Sequence, residues 1–211
     1  MIRQGWLACG AVVCGVALAS PADRIDAERA APIVRVPGQK LAMVLDLGKG
    51  DLARWHELQA ERRPSRIAEL AAAFRRDYPQ SPHREEAVAL EAGALRAVTL
   101  AREVGLSVEF FETTQGDDAF DVALRGAARG EAEAAYRVAR AYIEGKSGVF
   151  ASLYRHEQWL RFAGELGHAR ASWDLAQLYN THGRVAEAAH YEKRAISLGY
   201  KPPPRLSTRD Y

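Results

Sequence analysis

Residues 130–142 and 167–179 say the same thing twice, and this echo restricts the chain more than any other feature. Gly130-Glu-Ala-Glu-Ala-Ala-Tyr-Arg-Val-Ala-Arg-Ala-Tyr142 returns thirty-seven positions later as Gly167-His-Ala-Arg-Ala-Ser-Trp-Asp-Leu-Ala-Gln-Leu-Tyr179. Gly pairs with Gly, Ala134 with Ala171, Tyr136 with Trp173, Val138 with Leu175, Ala139 with Ala176 and Tyr142 with Tyr179. Each copy leads to a second segment ending in Leu-Gly, at Leu166-Gly167 and Leu198-Gly199. A period of this size points to stacked helical hairpins, because one hairpin cannot bury its apolar face alone. Four helices are expected here, over about 131–144, 153–166, 169–180 and 184–199.

The preceding stretch continues the helical pattern. A helix from a cap at Asp51 to about Arg62 places Leu52, Trp55 and Leu58 on one stripe. Pro64 suits the first position of a second helix, which carries Ile67, Leu70, Ala71 and Phe74 and must end before Pro79. Ser81-Pro82 opens a third helix to about Val104, with Glu85 and Glu86 in the first turn, where the macrodipole favours acids. Val88, Leu90, Leu95, Val98 and Leu100 are its expected apolar positions. Gly93 inside it costs about 1 kcal/mol relative to Ala, so a close-approaching neighbour is its expected reason. Leu106–Gly116 is ambiguous between helix and packed loop, and Gly116-Asp117-Asp118 starts a further helix to about Arg129. Counting hairpins backwards gives pairs at 51–78, 83–129, 131–166 and 169–199.

Met1–Ser20 reads as an export signal: Arg3, an apolar run from Trp6 to Leu18, and Ala17-Leu18-Ala19 as a cleavage site. The run is shorter than the roughly 18–20 residues a spanning helix needs. Cleavage after Ala19 removes Cys9 and Cys14, so the exported chain relies on neither disulfides nor thiolates. Val13 before Cys14 disfavours lipidation. The expected organisation is a signal at 1–19, an irregular arm at 20–50, hairpins at 51–129, repeats at 130–200 and a Pro-rich tail at 201–211. Net charge is +2, and arginines alternate with acids along the helices, which argues against a nucleic-acid partner held by bulk positive charge.

The Tyr78-Pro79-Gln80-Ser81-Pro82 junction resembles the tetratricopeptide repeats of bacterial envelope proteins. The second half resembles Sel1-like repeats, through Gly130, Ala134, Val138, Ala139, Tyr142, Gly145, Gly148, Val149, Trp159, Ala163, Leu166 and Gly167. Its next copy offers Gly167, Ala171, Leu175, Ala176, Tyr179, Gly183, Tyr191, Ala195 and Gly199. Ala139 and Ala176 stand where that family often has Gly, and the Gly-x-Gly-Val loop is missing from the second copy. The resemblance implies an all-α fold, a right-handed α-solenoid of about four hairpins. It also implies non-catalytic scaffold or adaptor work with a protein partner, here in the periplasm. A structural subunit of a membrane-associated assembly, or an accessory to a polysaccharide or peptidoglycan enzyme, are the alternatives.

Catalytic patterns give way to simpler readings. Gly145-Lys146-Ser147 imitates a phosphate loop, but Arg140 stands where its first Gly belongs, and a helix precedes it instead of a strand. The six histidines make no His-Glu-x-x-His pair, and no Gly-x-Ser-x-Gly occurs. No enzyme activity, cofactor or metal is expected. The candidate binding residues lie on the outer faces of the first helix of each copy. Glu133, Arg137 and Arg140 project together at helical spacing, with Arg170, Asp174 and Gln177 as their counterparts and Tyr136 and Trp173 as aromatic support. In stacked hairpins such faces line the concave side.

Overall fold

The computed structural model describes residues 50–203, all within one unit that spans Met43–Tyr211. The expected signal at 1–19, the arm at 20–50 apart from Gly50, and the tail beyond Pro203 lie outside the described residues.

Helices account for the regular structure, and no strand occurs among the described residues. They are α1 (50–60), α2 (Pro64–Asp77), α3 (Arg84–Val104), α4 (Asp118–Ala128), α5 (Ala132–Glu144), α6 (Leu153–Glu165), α7 (Ala169–Thr181) and α8 (Val185–Ser197). None is long and apolar enough to cross a membrane. The repeat helices end within one or two residues of their expected limits. Gly50 is already helical, so Asp51 is not the cap of α1. Pro64 starts α2 as its sequence requires, and Asp117 caps α4 by accepting from the Phe120 N–H at 2.9 Å. Ser81 Oγ accepts from the His83 N–H at 3.3 Å just before α3.

Packing follows chain order through most of the array: α2 on α3, α4 on α5, α5 on α6, α6 on α7 and α7 on α8. The core between them is aromatic and alanine-rich, with Trp159, Tyr142, Tyr179, Phe162 and Leu175 fully enclosed. Ala134, Val138 and Tyr142 all face inward, as their spacing requires.

The pair expected at 83–129 is different. α3 makes its main contact with α2, meets α4 only lightly, and reaches forward to α6. The connection after α3 is the cause. Its 3₁₀ turn, Val108–Phe110, delivers Phe111 into the core, edge-on to Trp159 at 5.2 Å and to Phe162 at 5.9 Å. An aromatic wedge therefore occupies space that a simple hairpin would close.

α3 also turns a different face inward. Ala87, Ala94, Ala97, Ala101 and Val104 are buried, whereas Val88 (42 % exposed) and Leu95 (52 % exposed) face out. Of the larger residues expected at apolar positions, Leu90 and Leu100 pack against the core from partly buried sites, while Val88 and Leu95 stay outside it. A Cβ on Gly93 would collide with the Arg129 carbonyl oxygen, and one on Gly130 would sit 2.6 Å from the Gly93 oxygen. Backbone thus meets backbone where α3 crosses the corner between α4 and α5, and small residues make the crossing possible.

That contact reverses the usual sign of a helix substitution. Gly93→Ala is expected to lower the unfolding free energy by about 1–3 kcal/mol, the cost of overpacking. Helix propensity alone predicts a gain of about 1 kcal/mol. Urea denaturation at constant pH separates the two, and a rise in midpoint would show that the crossing can relax.

Candidate partner-binding face

α5 and α7 each begin after a left-handed glycine, Gly130 and Gly167, and so present equivalent faces along the array. The structure joins these faces through side chains. Tyr136 donates its hydroxyl proton to Asp174 Oδ2 at 2.7 Å, and Arg170 Nε donates to Asp174 Oδ1 at 2.7 Å. His168 caps α7, its Nδ1 accepting from the Ala171 N–H at 2.9 Å. The proton of the neutral ring is therefore on Nε2, which donates to Glu133 Oε2 at 2.8 Å. The same ring stacks on Tyr136, with centroids 4.3 Å apart. Burial pushes the Tyr136 hydroxyl above its ordinary range, and its bond to Asp174 pushes it the same way, so it stays a donor at neutral pH.

Beneath this layer, His156 of α6 is buried and donates from Nδ1 to the Ala139 carbonyl of α5 at 2.8 Å. Desolvation holds its pKa below the ordinary value of 6.5. Arg155 completes the α5–α6 contact, donating to the Tyr142 hydroxyl at 2.9 Å with its guanidinium over the same ring.

The eight residues singled out in the sequence therefore divide. Asp174, Tyr136, Arg170 and Glu133 are engaged in the bonds just described. Arg140 is paired with Glu144 one turn along α5, its Nε 2.7 Å from Oε1. Trp173 stacks on Tyr200 at 4.9 Å, and Arg170 lies over the Tyr200 ring. Arg137 is exposed and makes no hydrogen bond or ion pair among the described residues, and the Gln177 side chain has no partner among them either.

These two lie at separate cavities. Glu133, Tyr136, Arg137 and Arg140 line one of about 390 Å³ between α4 and α5. Trp173 and Gln177 line another of about 610 Å³, together with Ile196, Pro202 and Pro203. The first cavity includes residues that the repeat pattern did not flag: Phe120 and Ala123 of α4, and Lys146 and Ser147 of the following loop. The Gly-Lys-Ser segment serves a structural end here. Gly145, Ser147 and Gly148 all have positive φ, and the Ser147 carbonyl accepts from the Asp117 N–H at 2.8 Å, which ties the loop to the start of α4. Tyr200 could have been found by running the repeat further, since it follows Gly199 as His168 follows Gly167. No three His, Cys, Asp or Glu side chains among the described residues cluster as metal ligands would.

Comparison with protein-family models returns no match, and searches of curated proteins and of solved structures return none either.

Tyr136→Phe removes a bond to a charged acceptor and is expected to cost about 1.5–3 kcal/mol of stability, less where water reaches Asp174. Tyr136→Phe and Asp174→Asn should be strongly non-additive in a double-mutant cycle, and additive losses would show that the bond does not couple α5 to α7. His156 has a depressed folded-state pKa, so the stability its neutral form contributes is complete above pH 6.5 and is lost as pH falls below that value. Unfolding free energy should thus decline between about pH 7 and pH 5 more steeply in the parent than in His156→Gln. Equal slopes would place the acid sensitivity elsewhere.

Proposed function

We propose that the chain is a non-catalytic interaction scaffold of the bacterial cell envelope, exported to the periplasm, which holds a protein partner on the face built by α5 and α7. In this reading the helices form a right-handed solenoid of the Sel1-like and tetratricopeptide kind, and that face is its concave side. The observation that carries it is the division of labour among the candidate residues. Tyr136, Asp174, Arg170, Glu133 and His168 lock two successive repeats to each other. Arg137 and Gln177 stand beside them with their hydrogen-bonding capacity unused among the described residues. A face held rigid by its own bonds loses little conformational freedom when a partner arrives, which favours binding. The resemblance of residues 130–200 to adaptor repeats and the signal pattern at 1–19 support the class and the compartment.

Site-specific photocrosslinking in intact cells tests this. With a photoreactive residue at position 146 or 180, on the cavities that Arg137 and Gln177 line, discrete adducts with the same protein are expected, and none from the exposed α3 positions Glu85 and Glu103. Adducts of equal yield from α3, or no adduct from either cavity, would sink the assignment of the face.

A further inference from the structure

We propose that the cavity between α4 and α5 docks an extended acidic segment of a protein partner, with a carboxylate on Arg137 and an adjacent apolar side chain over Phe120, Ala123 and Ala141. This rests on the scaffold reading and specifies its ligand chemistry. The floor is apolar: Phe120, Ala123 and Ala141 are buried where α4 packs on α5, while Ala119 is exposed at the mouth. The rim is charged, with Arg137, Arg140 and Lys146 against Glu133 and Glu144. Both acids are already engaged. Glu144 holds Arg140 and lies 2.9 Å from Lys146 Nζ, an arrangement that keeps its carboxyl below the usual range through Lys146 and then Arg140. Glu133 accepts from His168. Of the rim cations, Arg137 makes no hydrogen bond or ion pair among the described residues, and a planar guanidinium is suited to grip a carboxylate through two parallel bonds.

The size of the cavity sets the form of the ligand. About 390 Å³ admits one or two side chains and their backbone, too little for a whole helix. A basic segment would bring its charge against three rim cations. An acidic one meets Arg137 at the mouth and replaces none of the existing pairs.

The test uses the full-length chain, labelled with ¹⁵N, and three capped peptides: acetyl-Leu-Glu-Leu-amide and the same peptide with Gln or Lys at the centre. The acidic peptide is expected to shift the resonances of Ala119, Ala123, Ala141 and the Arg137 Nε–H. The Gln peptide should bind about tenfold more weakly, the order expected for one charge-assisted bond. Arg137→Glu should reverse the preference towards the Lys peptide. Ala119→Trp, at an exposed position, should abolish binding by filling the mouth while leaving the remaining spectrum unchanged. Absence of binding, shifts centred elsewhere, or an acidic preference that survives Arg137→Glu would overturn the proposal. Cellular adducts at position 146 without peptide binding would sink the acidic-segment chemistry and leave the scaffold reading standing. Peptide binding at this cavity without cellular adducts would support the site and sink the scaffold.

Discussion

Where α3 crosses the corner between α4 and α5, two backbones touch with no side chain between them, and the arrangement of the first half depends on that contact. Gly93 and Gly130 leave the space, and Arg129 uses it. Its guanidinium NH2 reaches back to Gln59, donating to the backbone carbonyl at 2.8 Å and to the side-chain oxygen at 2.7 Å. Burial pushes the Arg129 guanidinium below its ordinary pKa, and two acceptors on α1 offset part of that cost. One corner thus connects the first helix, the third and the start of the repeats. Arg96 on α3 adds a second tie forward, donating to the Leu166 carbonyl at 2.9 Å. Arg129 thus ties the end of α4 back to α1, Arg96 ties α3 forward to the end of α6, and Phe111 packs edge-on against Trp159 and Phe162 beside them.

The sequence reveals the repeat half of the fold well and the first half only in outline. Gly, Ala and aromatic residues at fixed offsets determine which face of α5 and α7 is inside, because the same packing problem is solved twice. α3 offers no such second copy. Its large apolar residues invite a core assignment, yet four alanines and Val104 are its buried residues, and Leu90 and Leu100 reach the core only from partly buried positions. Gly93 was the readable hint of the α3 crossing. The candidate face was legible as a set of positions, and not as a set of bonds. Spacing along α5 places Glu133, Arg137 and Arg140 together, but it cannot show that Glu133 meets His168, or that Arg140 turns to Glu144. Those choices depend on neighbouring helices and on rotamers, which periodicity does not encode.

The layer joining α5 to α7 combines a stacked pair, a helix cap and three charged or polar bonds around His168, Tyr136 and Asp174. The exposed ion pair among them, Arg170 with Asp174, contributes on its own only roughly 0–1 kcal/mol. Their common geometry matters more. His168 must keep its Nδ1 lone pair for the α7 cap while its Nε2 proton goes to Glu133, so the ring orientation, the tautomer and the angle between two helices are specified together.

The second copy ends differently from the first. α7 approaches α6 at Gly164, where an added Cβ would come within 3.1 Å of Ser172 Oγ. Thirty-two residues on, the matching position of α8 is Ile196, and Glu192 stands where α6 has the buried Leu160. Tyr200 already covers Trp173 in the manner that His168 covers Tyr136. Head-to-tail joining of copies through equivalent faces would generate open filaments. A molecule presenting the face that α7 presents to α6 would meet a branched side chain here, with the aromatic seat already taken. α8 therefore does not repeat the small-residue seat that α6 offers to α7, and shape alone tells the two helix surfaces apart.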